Sequence, residues 1–199
     1  MTEATAEQRR RRILDAAVDC FAERGLHATT MQDICRRADT SPGAVYSWYP
    51  SKESIIDAIA AERHEHEIHL LATALADPDP RTALHSFLDA YFEWLSDPSE
   101  RLRRRVSVQV WAESLVNDRL QPTVQEGIGQ RSLAWDGIRA AQAAGAVTTA
   151  ADADGMARLV LAVLQGFILQ QAWEPDIDIE GYRRAANLVV DALAPPPGP

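Results

Sequence analysis

The sequence predicts an all-α protein of about nine helices, with an N-terminal three-helix helix-turn-helix domain and a larger C-terminal helical domain. Apolar residues recur along most of the chain at the three- and four-residue spacing of amphipathic helices. Clusters of proline, glycine and aspartate, of which Asp77-Pro78-Asp79-Pro80 is the clearest, interrupt these segments where helices should end. With 46% hydrophobic and 25% charged residues, the chain of 199 residues has the composition of an ordinary globular protein.

The first helix is expected to start at a capping box made by Thr5 and Gln8 and to end near Arg24, where Gly25 follows. Its buried stripe is Ile13, Leu14, Ala17, Val18 and Phe21. The run Arg9–Arg12 lies one turn before that stripe. It is either a solvated face or an arm that reaches DNA phosphates, and both interpretations stay open.

The second and third helices are short and are joined by a tight turn. Thr29 or Thr30 can cap the second, and Ser41 with Pro42 suits the start of the third. The third helix, Pro42–Tyr49, has two turns and is not stable by itself in water. Its small, hydroxyl and aromatic outer residues fit docking in the major groove of DNA. The alternative is a helical corner inside a packed core.

Lys52, at the start of the fourth helix, is the only lysine in the chain and stands where a phosphate-binding cation is expected. The residues predicted to contact DNA are Thr29, Thr30, Arg36, Ser41, Pro42, Gly43, Ala44, Tyr46, Ser47, Trp48 and Lys52.

The net charge of −9 belongs to the C-terminal domain. Residues 1–53, the predicted DNA-binding domain, hold eight basic and eight acidic residues, and residues 54–199 hold 12 basic and 21 acidic ones. A neutral DNA-binding domain joined to an acidic C-terminal domain should bind unrelated DNA weakly, which favours discrimination between DNA sequences over high affinity for all of them.

About the first 55 residues of the sequence resemble the N-terminal domain of the TetR (tetracycline-repressor) family. The matching positions are Arg12-Ile13-Leu14, Ala16-Ala17, Phe21, Gly25, Ala28-Thr29-Thr30, Ile34, Ala38, Ser41, Gly43, Tyr46 and Ser51-Lys52-Glu53. The sequence departs from the family at Asp39-Thr40 and at Trp48-Tyr49. Near residues 100–195 it resembles the betaine-regulon repressor branch through Trp111-Ala112-Glu113, Gly145, Gln165-Gly166 and Ile168-Leu169-Gln170. The resemblance implies the fold and a dimer but does not fix the ligand.

The fourth helix runs from Ser51 to about Leu75, and its charged middle suggests a bridge between the domains. The remaining predicted helices are Arg81–Ser96, Glu100–Asn117, Leu120–Ala144 with a bend near Gly127 and Gly129, Ala151–Trp173 and Asp178–Leu193. Gly145 should cap the seventh. A disordered tail is expected from about residue 195.

Aromatic and polar residues of the C-terminal domain are candidates for a hydrophobic small-molecule site: Phe87, Tyr91, Trp94, Trp111, Glu113, Trp135, Gln165 and Phe167. Glu113 among aromatic rings would favour a cationic ligand. The alternative is that the tryptophans are ordinary core residues.

The last two helices have wide apolar faces, which predicts a homodimer formed through them. The candidate residues are Val160, Val163, Leu164, Phe167, Tyr182, Ala186, Val189 and Leu193. Alternatively, these faces cover helices five to seven within one subunit.

No catalytic, phosphate-binding or metal-binding motif is present, and we expect neither an enzyme nor a cofactor or metal site. No secretory signal or membrane span is expected, which favours the cytoplasm. The predicted function is a ligand-responsive transcriptional regulator, a repressor released from a palindromic double-stranded DNA operator by a hydrophobic small molecule. The alternative is a helical small-molecule-binding dimer without DNA activity.

Overall fold

The computed structural model describes residues 3–130 and 132–192, with side chains for 6–127 and 134–192. Over these residues it has ten helices and no strand, and the all-α prediction is confirmed. The helices are α1 (Glu3–Ala28), α2 (Met31–Arg37), α3 (Pro42–Trp48), α4 (Lys52–Ala74), α5 (Pro80–Ser96), α6 (Glu100–Ser114), α7 (Gln121–Gln130), α8 (Ser132–Ala143), α9 (Ala153–Trp173) and α10 (Ile179–Ala192).

One predicted boundary was wrong, since helix α1 already starts at Glu3, before the proposed capping box at Thr5. The described residues of the predicted helix Leu120–Ala144 are helical in α7 and α8. The break predicted at Gly25 is present as a non-helical residue with φ of 84° inside α1, a conformation open to glycine because it lacks a Cβ.

The chain forms two compact units. The first, which we call the head, contains the residues up to Arg63 together with Leu102–Gly127, and the second contains His64–Arg101 and the residues from Ile128 onward. The predicted boundary at residue 53 divides the expected DNA-binding domain from the expected ligand-binding and dimerisation domain, and this division stays a prediction.

The core of the head joins α1–α4 to α6. Ile13, Phe21 and Ile34 are fully buried there, and Val106 of α6 is equally inaccessible. Polar contacts follow the same packing: Arg103 pairs with Asp15 at 2.5 Å. Helix α6 is therefore part of the body that fixes α2 and α3.

The second unit is organised around an aromatic cluster of α5, α9 and α10. The ring centroids of Phe92 and Phe167 lie 5.1 Å apart, and those of Phe167 and Tyr182 lie 4.8 Å apart. Arg183 pairs with Asp89 at 2.7 Å beside this cluster. Rings in such edge-on pairs add to the energy of area burial, so α5 and α10 are firmly joined.

Helix α9 supplies much of this core, including Phe167 and Ile168. Among the described residues, α9 is also the one helix that is long and apolar enough to cross a membrane. Of its most apolar stretch, 33% is buried inside the unit.

Candidate nucleic-acid interface and apolar cavity

Helix α2 starts at a complete capping box. Asp33 donates its backbone N–H to Thr30 Oγ1 at 3.2 Å, and Thr30 donates its own to Asp33 Oδ2 at 3.0 Å. The hydrogen bonds from Thr30 lower the pKa of Asp33, and Arg24 and Arg36 lower it further. Of the two caps that the sequence allowed, Thr30 is the one used.

Thr29, predicted to contact DNA, is instead buried in the head with 1% of its surface exposed. Its hydroxyl lies 2.8 Å from the carbonyl oxygen of Gly25 and 3.0 Å from that of Cys20. Thr29 therefore closes the break in α1 and cannot reach a surface ligand.

Helix α3 begins as predicted, with Ser41 at the N-cap and Pro42 at the first position. The Ser41 hydroxyl accepts the N–H of Ala44 at 3.4 Å. Val45 is fully buried and Tyr49 is 6% exposed, and these two side chains anchor the helix to the head. The short helix is held by tertiary packing because two turns cannot hold themselves.

The outer side of α3 carries most of the predicted contact residues. Tyr46 is 49% exposed and Trp48 is 37% exposed, which is unusual for aromatic side chains of this size. Ser41, Pro42, Gly43 and Ser47 are also exposed, whereas Ala44 is half-buried. Thr30 and Arg36 are exposed on the neighbouring α2 side.

A surface groove of about 430 Å³ runs between α2 and the start of α3. It is lined by Gln32, Cys35, Arg36, Asp39, Thr40, Ser41 and Pro42. Gln32, Asp39 and Thr40 were not among the predicted contact residues. Gln32 precedes Arg36 by four residues and shares its helix face, and this spacing is the sequence signal that could have identified it.

Lys52, predicted to contact a phosphate, makes hydrogen bonds inside the head, and the phosphate contact stays a prediction. Its ammonium group donates to the carbonyl oxygens of Leu26 at 2.6 Å, Thr29 at 3.0 Å and His27 at 3.4 Å. These carbonyls belong to the end of α1 and the link that follows it, where backbone oxygens lack helical partners. All three ammonium protons are therefore directed to acceptors inside the head.

Arg10 and Arg12, of the run Arg9–Arg12, make contacts within the head. Arg10 pairs with Glu62 at 3.1 Å, and Arg12 donates to the carbonyl oxygen of Ala38 at 2.9 Å. Arg11 is exposed on the same helix.

Trp111 and Glu113, predicted to bind the ligand, lie on the part of α6 that belongs to the head. Glu113 faces His27 at 2.8 Å and accepts from Asn117 at 3.1 Å. These hydrogen bonds, that of Asn117 foremost, lower the pKa of Glu113. The Glu113 carboxylate thus joins α6 to the end of α1, and its role beside a ligand stays a prediction.

The second unit contains an apolar cavity with a volume of about 50 Å³. Its lining consists of one glycine and of residues with apolar side chains: Leu71, Leu75, Pro80, Leu84, Phe87, Ala134, Gly137, Ile138, Ala141, Val147, Met156, Ala157 and Val160. At its wall a Cβ on Gly137 would lie 2.9 Å from Leu75 Cδ2. Helix α8 thus approaches Leu75 as closely as a residue without a side chain allows.

Among the residues predicted for the ligand, Phe87 lines this cavity. Trp135 packs beside the wall and donates its indole N–H to Asp154 at 2.5 Å. Tyr91 donates to Glu67 at 3.1 Å, and Trp94 packs on His66 with ring centroids 4.5 Å apart. Phe167 belongs to the aromatic core, and Gln165 is half-buried on α9.

Several residues predicted for the dimer are packed within one subunit. Leu164, Phe167 and Ala186 are buried, and Val160 lines the cavity. The half-buried Tyr182 donates to the carbonyl oxygen of the half-buried Val163 at 3.4 Å. Only Val189, 43% exposed, remains a large surface residue, and Leu193 lies outside the described residues.

Other apolar residues of α9 and α10 are exposed. Leu159 is 51% exposed, Leu188 is 68% exposed and Trp173 is 72% exposed. Sequence reasoning missed them because a wide apolar face does not show which of its residues faces the core.

Comparisons with known proteins agree with this geometry. The family described as "Bacterial regulatory proteins, tetR family" matches residues 13–59, and "BetI-type transcriptional repressor, C-terminal" matches residues 80–195. The chain is 27% identical to the HTH-type transcriptional regulator UidR of Escherichia coli K12, over 93% of this chain and 89% of that one. Among solved structures, GusR of Salmonella enterica has a TM-score of 0.75 at 27% identity over 98% of both chains. A complex of SmeT with triclosan has a TM-score of 0.78 at 25% identity, over 93% of this chain and 90% of that one.

Proposed function

The chain belongs to the tetR family of bacterial regulatory proteins, and from this premise we propose that it represses transcription by binding a palindromic operator until an apolar small molecule releases it. The observation that carries the proposal is the outer side of α3. Tyr46 and Trp48 stand exposed on a helix that the head holds through Val45 and Tyr49. Such a helix is suited to present its N-terminal residues to base edges in the major groove.

The contact set that we propose for DNA is Thr30, Gln32, Arg36, Ser41, Pro42, Gly43, Ala44, Tyr46, Ser47 and Trp48. The hydroxyls and Arg36 can bind phosphate oxygens or base edges, and the aromatic side chains can pack against thymine methyl groups. Residues 1–53 are the DNA-binding part in this proposal, with α6 and α7 as its support.

A second copy of the chain is the partner expected at α9 and α10. Leu159, Trp173, Leu188 and Val189 are the exposed apolar residues that a two-fold interface would cover. A two-fold dimer presents two copies of α3 and therefore matches a palindrome.

The cavity between α4, α5, α8 and α9 is the proposed effector site. Its lining has no charged or hydrogen-bonding side chain, so the effector should be uncharged and largely hydrocarbon. The triclosan complex of SmeT supports an apolar aromatic molecule as one such ligand. The described cavity is much smaller than the roughly 300–1,000 Å³ of ordinary ligand sites, so binding requires the helices to separate.

This separation is what would link the effector to DNA. Helix α4 carries Leu71 at the cavity, is followed directly by Leu75, and begins at Lys52 in the head. A coupling free energy of roughly 1–3 kcal/mol between the two sites is sufficient for release. Repression in the cytoplasm needs no further partner, because an operator-bound dimer blocks polymerase by itself.

The alternative function is a helical small-molecule-binding dimer without DNA activity. Substitution of Tyr46 distinguishes it from the proposed repressor. Tyr46→Ala should weaken binding to the DNA upstream of the protein's own gene by about tenfold or more in a fluorescence anisotropy titration. The variant should still sediment as a dimer. Leu115→Ala, at another exposed position of the head, is the matched control and should bind like the wild type. Equal binding by Tyr46→Ala would remove α3 from the interface.

A further inference from the structure

Asp39, in the turn between α2 and α3, has a backbone conformation that L-residues rarely adopt. Its φ is 49°, and within the described chain it is the one residue other than glycine with a positive φ. The left-handed region costs about 1 kcal/mol or more for a residue with a Cβ, and aspartate tolerates it better than most.

The hydrogen bonds around Asp39 explain why the backbone takes this conformation. Thr40 donates its N–H to the carbonyl of Cys35 at 3.1 Å, and Asp39 donates its own to Arg36 at 3.3 Å. This pair of bonds is the Schellman motif, which usually ends a helix with glycine in the left-handed position.

The same chain builds this motif a second time with the usual residue. At the end of α8, Ala146 donates to Ala141 at 2.9 Å and Gly145 donates to Gln142 at 3.0 Å, with φ of 72° at Gly145. Aspartate is therefore not required by the turn. Its side chain is retained at a position where glycine would be less costly.

The Asp39 carboxylate lies in the groove beside the start of α3, in the proposed DNA interface. It is exposed, and it has no hydrogen bond or ion pair with another described residue. Arg36, which lines the same groove, pairs with Asp33 at 3.4 Å, and Arg12 donates to the carbonyl oxygen of Ala38 at 2.9 Å. Since the carboxylate has no hydrogen bond or ion pair with the described residues, we look for its contribution at the proposed DNA interface.

An ionised carboxylate can only accept hydrogen bonds. In the major groove the donors are the N4 amino group of cytosine and the N6 amino group of adenine, and aspartate pairs with cytosine. Phosphate groups repel it. One carboxylate in this place therefore both favours a base with an amino group and lowers the affinity for all other DNA.

We propose that Asp39 is a specificity-determining residue of this DNA interface, which selects an amino-bearing base, cytosine foremost, at one position of each half-site and disfavours unrelated sequences. The inference rests on the proposed function. It assigns a role to a residue that the predicted contact set did not contain.

The test compares the wild type with Asp39→Asn, which tolerates the same φ without the charge, and with Asp39→Gly. Asp136→Asn removes an exposed carboxylate of α8 and is the matched control. Each protein selects duplexes from a randomised pool at one salt concentration, and its affinity for a short scrambled duplex is then measured.

The wild type should prefer cytosine or adenine at one position per half-site. Asp39→Gly should lose this preference, whereas Asp39→Asn should shift it towards adenine, because an amide pairs with adenine. Asp39→Asn and Asp39→Gly should bind the scrambled duplex about threefold to tenfold more tightly, the size of one charge contact with the backbone. Asp39→Gly should also have a higher Tm, because glycine removes the backbone cost.

Two results would overturn the proposal. One is an unchanged base preference in Asp39→Gly together with unchanged affinity for the scrambled duplex. The other is a lower Tm of Asp39→Gly, which would assign the carboxylate to the fold. If the wild type itself selects no sequence, the proposed function fails, and this outcome differs from either of the other two.

Discussion

At the scale of single residues, the ammonium group of Lys52 joins the start of α4 to the end of α1 within the head. Its three carbonyl partners, at 2.6–3.4 Å, lie at the end of α1 and in the link to α2. Lys52→Ala leaves these oxygens without a donor, and the free energy of unfolding should fall by about 1–3 kcal/mol. Denaturant unfolding followed by circular dichroism measures this loss.

The salt dependence of DNA binding separates this role from a phosphate contact. Lys52→Ala should leave the slope of log K against log salt unchanged when both proteins are fully folded. Arg36→Ala, at an exposed position in the groove, should instead lower the slope by about one unit and leave stability nearly unchanged. A reduced slope in Lys52→Ala would contradict the internal role.

Asp33 gives the head a defined response to acid. The hydrogen bonds from Thr30 lower the pKa of Asp33 in the folded protein. A lowered carboxyl pKa stabilises the fold above the unfolded pKa of about 3.9, and this contribution is lost as the pH falls through the folded pKa. The Tm advantage of the wild type over Asp33→Asn should therefore be present at pH 6 and shrink below about pH 4. A difference in Tm that does not change with pH would contradict this linkage.

Capping residues could be predicted individually because their hydrogen bonds are local. Thr30, Ser41 and Gly145 are caps in the structure because the partner atoms lie within a few residues. Thr29 and Lys52 could not be assigned, because their partners are carbonyl oxygens exposed by the break in α1 at Gly25. Only the folded chain brings those atoms together.

At the scale of helices, the close approach of α8 to Leu75 controls the size of the cavity. Leu75→Ala removes the side chain that Gly137 accommodates and should widen the cavity, at a stability cost of about 2 kcal/mol. This variant should bind an uncharged naphthylamine dye more tightly than the wild type in a fluorescence titration.

Ala141→Leu is the opposite change, because it fills the cavity from α8 and should reduce dye binding. Ala143→Leu, at an exposed position of the same helix, controls for a general effect of added leucine. Equal dye affinity in Leu75→Ala and Ala141→Leu would show that the dye binds elsewhere.

The helices could be predicted from the periodicity of apolar residues and from the helix-breaking residues between them. The pairing of helix faces could not be predicted in this way. The aromatic residues of α5 illustrate the difference. Phe87 lines the cavity, but Phe92 packs into the core and Trp94 packs on His66. These residues share one helix and similar chemistry, and only the positions of α9, α10 and α4 distinguish them.

At the scale of the whole molecule, the proposed dimer depends on the exposed apolar residues of α9 and α10. Leu188 is 68% exposed in one subunit, and the partner subunit should cover it. Leu188→Glu would bury a charge in that interface, so the variant should sediment as a monomer at micromolar concentration. Leu115→Glu, at a position 84% exposed in the head, should remain dimeric. A dimeric Leu188→Glu variant would place the interface on another surface.

The division of charge also belongs to the whole molecule. Residues 1–53 are neutral, and the whole net charge of −9 comes from the remaining residues. A protein with this distribution has little electrostatic attraction to arbitrary DNA, so its operator binding has to rest on base contacts.

The most direct measurement is a footprint on the DNA upstream of the protein's own gene, with the wild type and Tyr46→Ala side by side. We expect two protected half-sites with centres about 34–36 Å apart, or a multiple of that distance, filled by one dimer and lost in Tyr46→Ala. Protection without sequence preference, or an unaltered footprint in Tyr46→Ala, would contradict the claim that α3 reads the operator.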